Sequence, residues 1–371
     1  MTSRERLQAV FAGKPVDRVP VSLYEFHGYY DAWIFDYPEY VAILDYAKGR
    51  TDRMQYWRPT SPEPSFLLSV VDPGTVEAKH WRENGSIYTR TLVHTPRGDL
   101  SMLQRRDEGV HTSWKLEHLC KTPEDAERIM SLPTRPYLPP VGSFFELDAE
   151  LGDDGIVLGD VSDALSLSVD LFGFSTYLLL FVERSDIVFR LLDFLQARLL
   201  TYLEHLLAGG AVTVYRITGP EYATVPYMSP SAFERLVVSY DRAIIDLLHR
   251  YGATARLHSH GRIRDALPSF KSMQIDATDP LEPPPDGDVT PSEIRRVLGD
   301  EVVLIGNIEE RLFEIGTKDE IETAVKTIID ELDGRGLILC PTAMPLTTPL
   351  APAICENIVH YIDCGERYGS M

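Results

Sequence analysis

The sequence predicts an α/β fold, a (β/α)8 TIM barrel with a β-hairpin excursion after its second strand. Short β-branched runs alternate with amphipathic helical stretches, and the runs number eight, the count that closes a parallel barrel. No Ser/Gly linker and no internal repeat interrupts the rhythm, so residues 1–371 read as one domain.

The strands are expected at 19–23, 54–57, 156–160, 212–217, 255–258, 273–276, 302–305 and 337–340. Between them a helix is expected over 231–251, because Phe233, Leu236, Tyr240, Ile244, Leu247 and Leu248 recur at three- and four-residue steps until Gly252. A second is expected over 318–332, with Thr317 as N-cap and Gly334 as stop. Residues 75–114 break the alternation. There, runs at 86–94 and 100–105 flank Thr95-Pro96-Arg97-Gly98, a turn by composition, and the stretch reads as a hairpin outside the barrel.

Charge excludes some partners. With 36 Lys and Arg against 56 Asp and Glu, the formal charge of −20 repels phosphate backbones and acidic headgroups, so neither nucleic acid nor membrane is expected. No apolar run approaches the ~20 residues of a membrane span, and no signal-type core follows the N-terminus, which points to a cytoplasmic protein. Four cysteines in so long a chain, with no C-x-x-C pair, do not form a secreted disulfide framework.

Chemistry concentrates in Arg256-Leu257-His258-Ser259-His260-Gly261-Arg262, at a strand's end. In extended backbone, side chains two apart share a face, so His258 and His260 can hold one ion; two solvated or core histidines are the alternative. The eighth run ends in Cys340, which is either buried packing or a thiolate delivered to the same barrel mouth. Two imidazoles and one thiolate would leave the open position that catalytic zinc keeps.

Thr2-Ser3-Arg4-Glu5-Arg6-Leu7, Pro15-Val16-Asp17-Arg18-Val19-Pro20-Val21, Thr95-Pro96-Arg97-Gly98, Ser229-Pro230, His258-Ser259-His260-Gly261 and Thr348-Pro349-Leu350 occur in the order of the uroporphyrinogen decarboxylase superfamily, which the chain resembles over nearly its whole length. The resemblance implies a (β/α)8 barrel and one of two activities: porphyrinogen decarboxylation, or zinc-dependent methyl transfer with a corrinoid protein. Decarboxylases of the family hold their polycarboxylate substrate with an arginine-rich loop after the first strand; here no Arg or Lys lies between Arg18 and Lys48. The decarboxylase Gly-His-Gly is also absent, with Pro341-Thr342-Ala343-Met344-Pro345 in its region.

The methyltransferase branch carries His-x-Cys and a later Cys on zinc. This chain has His258 and His260 in the first motif, and Cys340 precedes Pro341 where the family cysteine usually follows that proline. The resemblance thus favours a zinc enzyme with His258, His260 and Cys340 as ligands, exchanging methyl groups between a small thiol or methylated compound and a corrinoid carried by a partner protein. No cobalamin-binding Asp-x-His-x-x-Gly occurs in the chain itself. Glu221 and Asp160, each at a strand's end, are candidates for a further ligand or a general base, or else ordinary helix caps. One of Asp276 and Asp279 is expected to orient a histidine. Tyr24, Phe26 and His27 suit a partly apolar substrate wall, and Arg262 suits an anionic group or a surface salt bridge. Porphyrinogen decarboxylation is the runner-up, a non-catalytic ligand-binding barrel the third reading, and a homodimer a candidate assembly.

Overall fold

A computed structural model describes residues 1–27 and 31–370. Its centre is a seven-stranded parallel sheet, curled in a TIM-like half barrel and surrounded by helices. The strands are Arg53–Trp57, Gly155–Ser162, Val214–Thr218, Thr254–His258, Ala277–Asp279, Val303–Ile308 and Leu337–Pro341, paired in chain order. Both faces are covered, so the strands read as nearly continuous apolar runs, Leu337–Pro341 being buried at every position.

Residues 19–23, expected as the first strand, make no regular ladder but span the two edges of the sheet. Asp52 N–H donates to the Val21 carbonyl at 2.6 Å, Ser22 N–H to Leu339 O at 2.8 Å, and Leu339 N–H to Pro20 O at 2.8 Å. Pro20 has no N–H to give, and the Val21 N–H goes to the Asp52 carboxylate at 2.9 Å, so a side chain replaces part of the ladder. The last helix, Pro352–Tyr368, seals this segment. Its Tyr361 hydroxyl reaches the carbonyls of Ser22 and Leu339 at 2.9 and 3.1 Å. Gly365 permits the close approach, since a Cβ there would meet Val21 Cγ2 at 2.7 Å.

The sixth strand is displaced from expectation. Met273 closes a helix, Leu267–Met273, that begins with Pro268 in its first turn, and Gln274 ends it in the left-handed conformation at φ 61°. Pairing therefore begins only at Ala277. Residues 76–117 also differ. In place of one hairpin they form a four-stranded antiparallel sheet, Val76–Glu83, Ser86–Val93, Leu100–Asp107 and Trp114–Glu117. Its first turn is Asn84-Gly85, both at positive φ, the pairing a two-residue hairpin favours.

The helix Lys318–Glu331 starts where Thr317 Oγ1 accepts the Glu320 N–H and Glu320 returns a bond to the Thr317 N–H at 2.8 Å. The stretch expected as one helix over 231–251 is helical throughout, Pro230–Phe233 and Ser239–Arg250 being joined by a wider π-helical turn at Glu234–Val238. Among the described residues, no single helix is long and apolar enough to cross a membrane.

Candidate active site at the barrel mouth

Period-two alternation along Thr254–His258 and its continuation sends Arg256, His258 and His260 toward one side. Arg256, only 1% exposed, places Nε and an Nη each 2.6 Å from the two oxygens of Asp279, on the neighbouring strand. The same carboxylate accepts from His258 Nδ1 at 2.7 Å. Burial alone would raise the Asp279 pKa, but the Arg256 guanidinium and His258 outweigh it and hold the carboxyl well below the usual range.

His260 repeats the arrangement one step outward. Its Nδ1 lies 2.7 Å from Glu282 Oε1, and the other Glu282 oxygen accepts the Gly261 N–H. Burial tends to lower the His260 pKa; Glu282, with smaller contributions from Glu221 and Asp279, raises it overall. The two rings meet edge to face with centroids 4.6 Å apart. With each Nδ1 committed to a carboxylate, Nε2 is the nitrogen each ring offers, the orientation that carboxylate–histidine pairs give to metal ligands.

His260, Glu221, Gly261, Arg262 and Glu282 open onto a cavity of about 590 Å³, walled by Phe174, Tyr222 and Tyr227. Glu221 is half-buried in this wall, its Oε2 accepting the Gly219 N–H at 3.3 Å. Arg262 is exposed at the rim.

The other expected site residues have partners of their own. Asp160 bonds Arg216 Nε at 2.9 Å and Arg58 at 3.2 Å; burial works to raise its pKa, but the two guanidiniums hold it below the ordinary value. It neutralises cations instead of facing the mouth bare. The Tyr24 hydroxyl accepts from Arg216 at 3.0 Å. Phe26 is buried edge to face against Tyr40, with centroids 5.3 Å apart, and borders a cavity with Arg6 and Arg18 instead of the mouth. The His27 side chain lies outside the described residues.

Cys340 is 1% exposed, and burial pushes its pKa up to about 12. Among the described residues, one set of three His, Cys, Asp or Glu donors closes to within 4.8 Å, Glu322, His360 and Cys364, outside this mouth. Neither Cys340 nor Glu221 reaches that spacing with the two histidines. The mouth therefore brings together His258, His260 and Glu221 in one region, but pre-assembles only the two imidazoles. As a donor set, two rings oriented by carboxylates fit zinc at two positions.

The uroporphyrinogen decarboxylase (URO-D) family model matches residues 111–353. The chain belongs to this family. No curated protein matches the sequence. Among solved structures, it is similar to a methyltransferase from Methanosarcina mazei, at 15% identity and a TM-score of 0.61, covering 99% of both chains. It is also similar to a B12-independent methionine synthase from Shewanella sp. W3-18-1, at 13% identity and a TM-score of 0.43, covering 76% of this chain and 75% of the other. The first likeness shows a shared fold.

In this URO-D family member, spacing along the sequence does not single out Arg216, Glu282 or Glu309. Arg256 was legible two residues before His258, on the same face. Glu282, in Asp279-Pro280-Leu281-Glu282, had no periodicity to single it out. Glu309, immediately after Val303–Ile308, buries Oε1 without a partner, and burial pushes its carboxyl up to about 7. Such a group can gain and lose protons near neutrality.

Proposed function

We propose that this URO-D family protein is a methyltransferase, moving a methyl group between a small thiol or methylated compound and a corrinoid protein, with its reaction centre at His258 and His260. The observation that carries the reading is the paired anchoring of the two rings by Asp279 and Glu282, each through Nδ1 at 2.7 Å.

His258 and His260 would hold zinc through Nε2. Bound there, zinc lowers the pKa of a thiol and supports its attack on a methyl carbon. The chain's own groups do the rest. Asp279 and Glu282 keep the protons on Nδ1, which fixes the tautomer. Glu221, in the same cavity, receives the proton of the incoming thiol. The partner's corrinoid would supply the methyl group and keep the electron pair of the bond given up, so that the methyl group passes to the thiol sulfur. Phe174, Tyr222 and Tyr227 give an apolar wall suited to a methylated group.

Decarboxylation is less well supported because the buried cations are already matched. Arg256 is held by Asp279 and Arg216 by Asp160, so neither is presented to a substrate with several carboxylates. Elemental analysis of the purified protein, together with a cobalamin assay, tests the reading. His258→Ala and His260→Ala should each lose the zinc equivalent held at the mouth, and demethylation of methylcobalamin by a panel of small thiols should fall with it. Full zinc in both variants, or robust conversion of uroporphyrinogen to coproporphyrinogen by the wild type, would overturn it.

A further inference from the structure

Glu322, His360 and Cys364, on the last two long helices, form a second cluster of metal-ligating groups, outside the mouth. One donor atom from each lies within 4.8 Å of the others. His360 and Cys364 stand four residues apart on Pro352–Tyr368, so they share one helix face; Glu322 comes from the adjacent Lys318–Glu331. Cys364 Sγ lies 3.4 Å from His360 Nε2. Zinc–sulfur and zinc–nitrogen bonds of about 2.3 and 2.05 Å at a tetrahedral angle require a separation of about 3.5 Å. The pair is thus already at ligand spacing.

From this geometry we propose that Glu322, His360 and Cys364 bind a second zinc ion, which ties the last two helices together. The site would be structural, and it does not depend on the mouth reading. Sulfur and imidazole donors select zinc over magnesium or calcium. Glu322 Oε1 accepts from Lys326 at 2.6 Å and Tyr368 at 2.5 Å, and a carboxylate has lone pairs to add an ion beside those bonds. His360 would give up its bond to the Lys318 carbonyl, 3.1 Å away, and carry its proton on Nδ1. The Cys364 thiol would release its proton to solvent. His360 also lines a groove of about 570 Å³ together with Lys318 and Asp363. The helix so clamped is the one whose Tyr361 bonds Ser22 and Leu339, so the ion would stiffen the seam where the sheet edges meet.

The test is a Zn²⁺ titration of the metal-stripped, full-length protein, with His258→Ala as a background lacking the mouth site. Cys364→Ser and His360→Ala should each bind one equivalent fewer than their parent, with unchanged circular dichroism, and Zn²⁺ should slow iodoacetamide labelling of Cys364. Glu322→Gln, on a half-buried side chain, serves if those variants do not fold, and should weaken binding on the order of tenfold or more. Equal stoichiometry and affinity in parent and variants, or labelling of Cys364 indifferent to Zn²⁺, would overturn the proposal. Loss of zinc at the mouth alone would leave this equivalent in place.

Discussion

Asp279 Oδ2 lies 2.7 Å from His258 Nδ1 while the same carboxylate carries both nitrogens of the Arg256 fork, and all three side chains are buried. One carboxylate therefore does two jobs: it neutralises a fully buried guanidinium and it aims an imidazole. Asp279→Asn preserves the shape and removes the charge. Breaking a buried pair by deleting one partner costs about 3–5 kcal/mol, because the remaining charge is left uncompensated. We expect that loss in urea unfolding, together with weaker zinc binding. Unfolding within about 0.5 kcal/mol of wild type would show that Arg256 finds another partner.

Cys340 gives the sharpest separation between sequence expectation and geometry. Its thiol is packed against Ser22 and held protonated by burial. Iodoacetamide labelling, read by peptide mapping, should therefore be slow with metal present and equally slow after chelation, and Cys340→Ser should keep its zinc. Rapid labelling after chelation only would restore Cys340 as the third ligand.

The parallel sheet was legible because its strands are buried on both faces and announce themselves as apolar runs; 54–57, 156–160 and 337–340 fall within the observed strands. Two strands were not. Residues 19–23 lie where a strand belongs but lose regular pairing to Pro20 and Asp52, and Met273 and Ile275 look strand-like although Met273 closes a helix. In the site, the His258–His260 pair was readable from period two alone. Asp279 was one of two named carboxylates, the other, Asp276, pairing with His249 at 2.8 Å. Glu282 and Arg216 act through partners far along the chain, which spacing does not reveal.

Gly219 marks a place where backbone and carboxylate nearly touch. It sits at φ +138°, and a Cβ there would be only 2.0 Å from Asp163 Oδ1. Gly219→Ala should therefore cost more than the ~1–3 kcal/mol of backbone strain alone, since Asp163 caps the helix Ala164–Phe172 and cannot retreat without losing that cap. Thermal unfolding checks this; a melting temperature equal to wild type would mean that the loop before Glu221 yields to the added methyl group.

Behind Gly219, Asp163 and Asp241 are both fully buried, and three of their four oxygens, Asp163 Oδ2 and both of Asp241, have no hydrogen-bond partner. Burial is the largest influence on each and raises both pKa values well above the ordinary carboxyl range; the charge of Asp241 adds to the rise at Asp163, and that of Glu221 to both. A carboxyl raised on folding contributes stability that is fully present below its unfolded pKa of 3.8 and is lost as pH climbs through the folded value. Asp241→Asn, nearly isosteric and unable to ionise, should match wild type near pH 4. As pH rises toward 8 the wild type should fall behind the variant by about 1.4 kcal/mol for each unit until the folded Asp241 pKa is passed, the contribution of Asp163 being common to both. Urea unfolding at pH 4, 6 and 8 measures the divergence. Parallel stability profiles for the two proteins would show that folding does not shift the titration of Asp241.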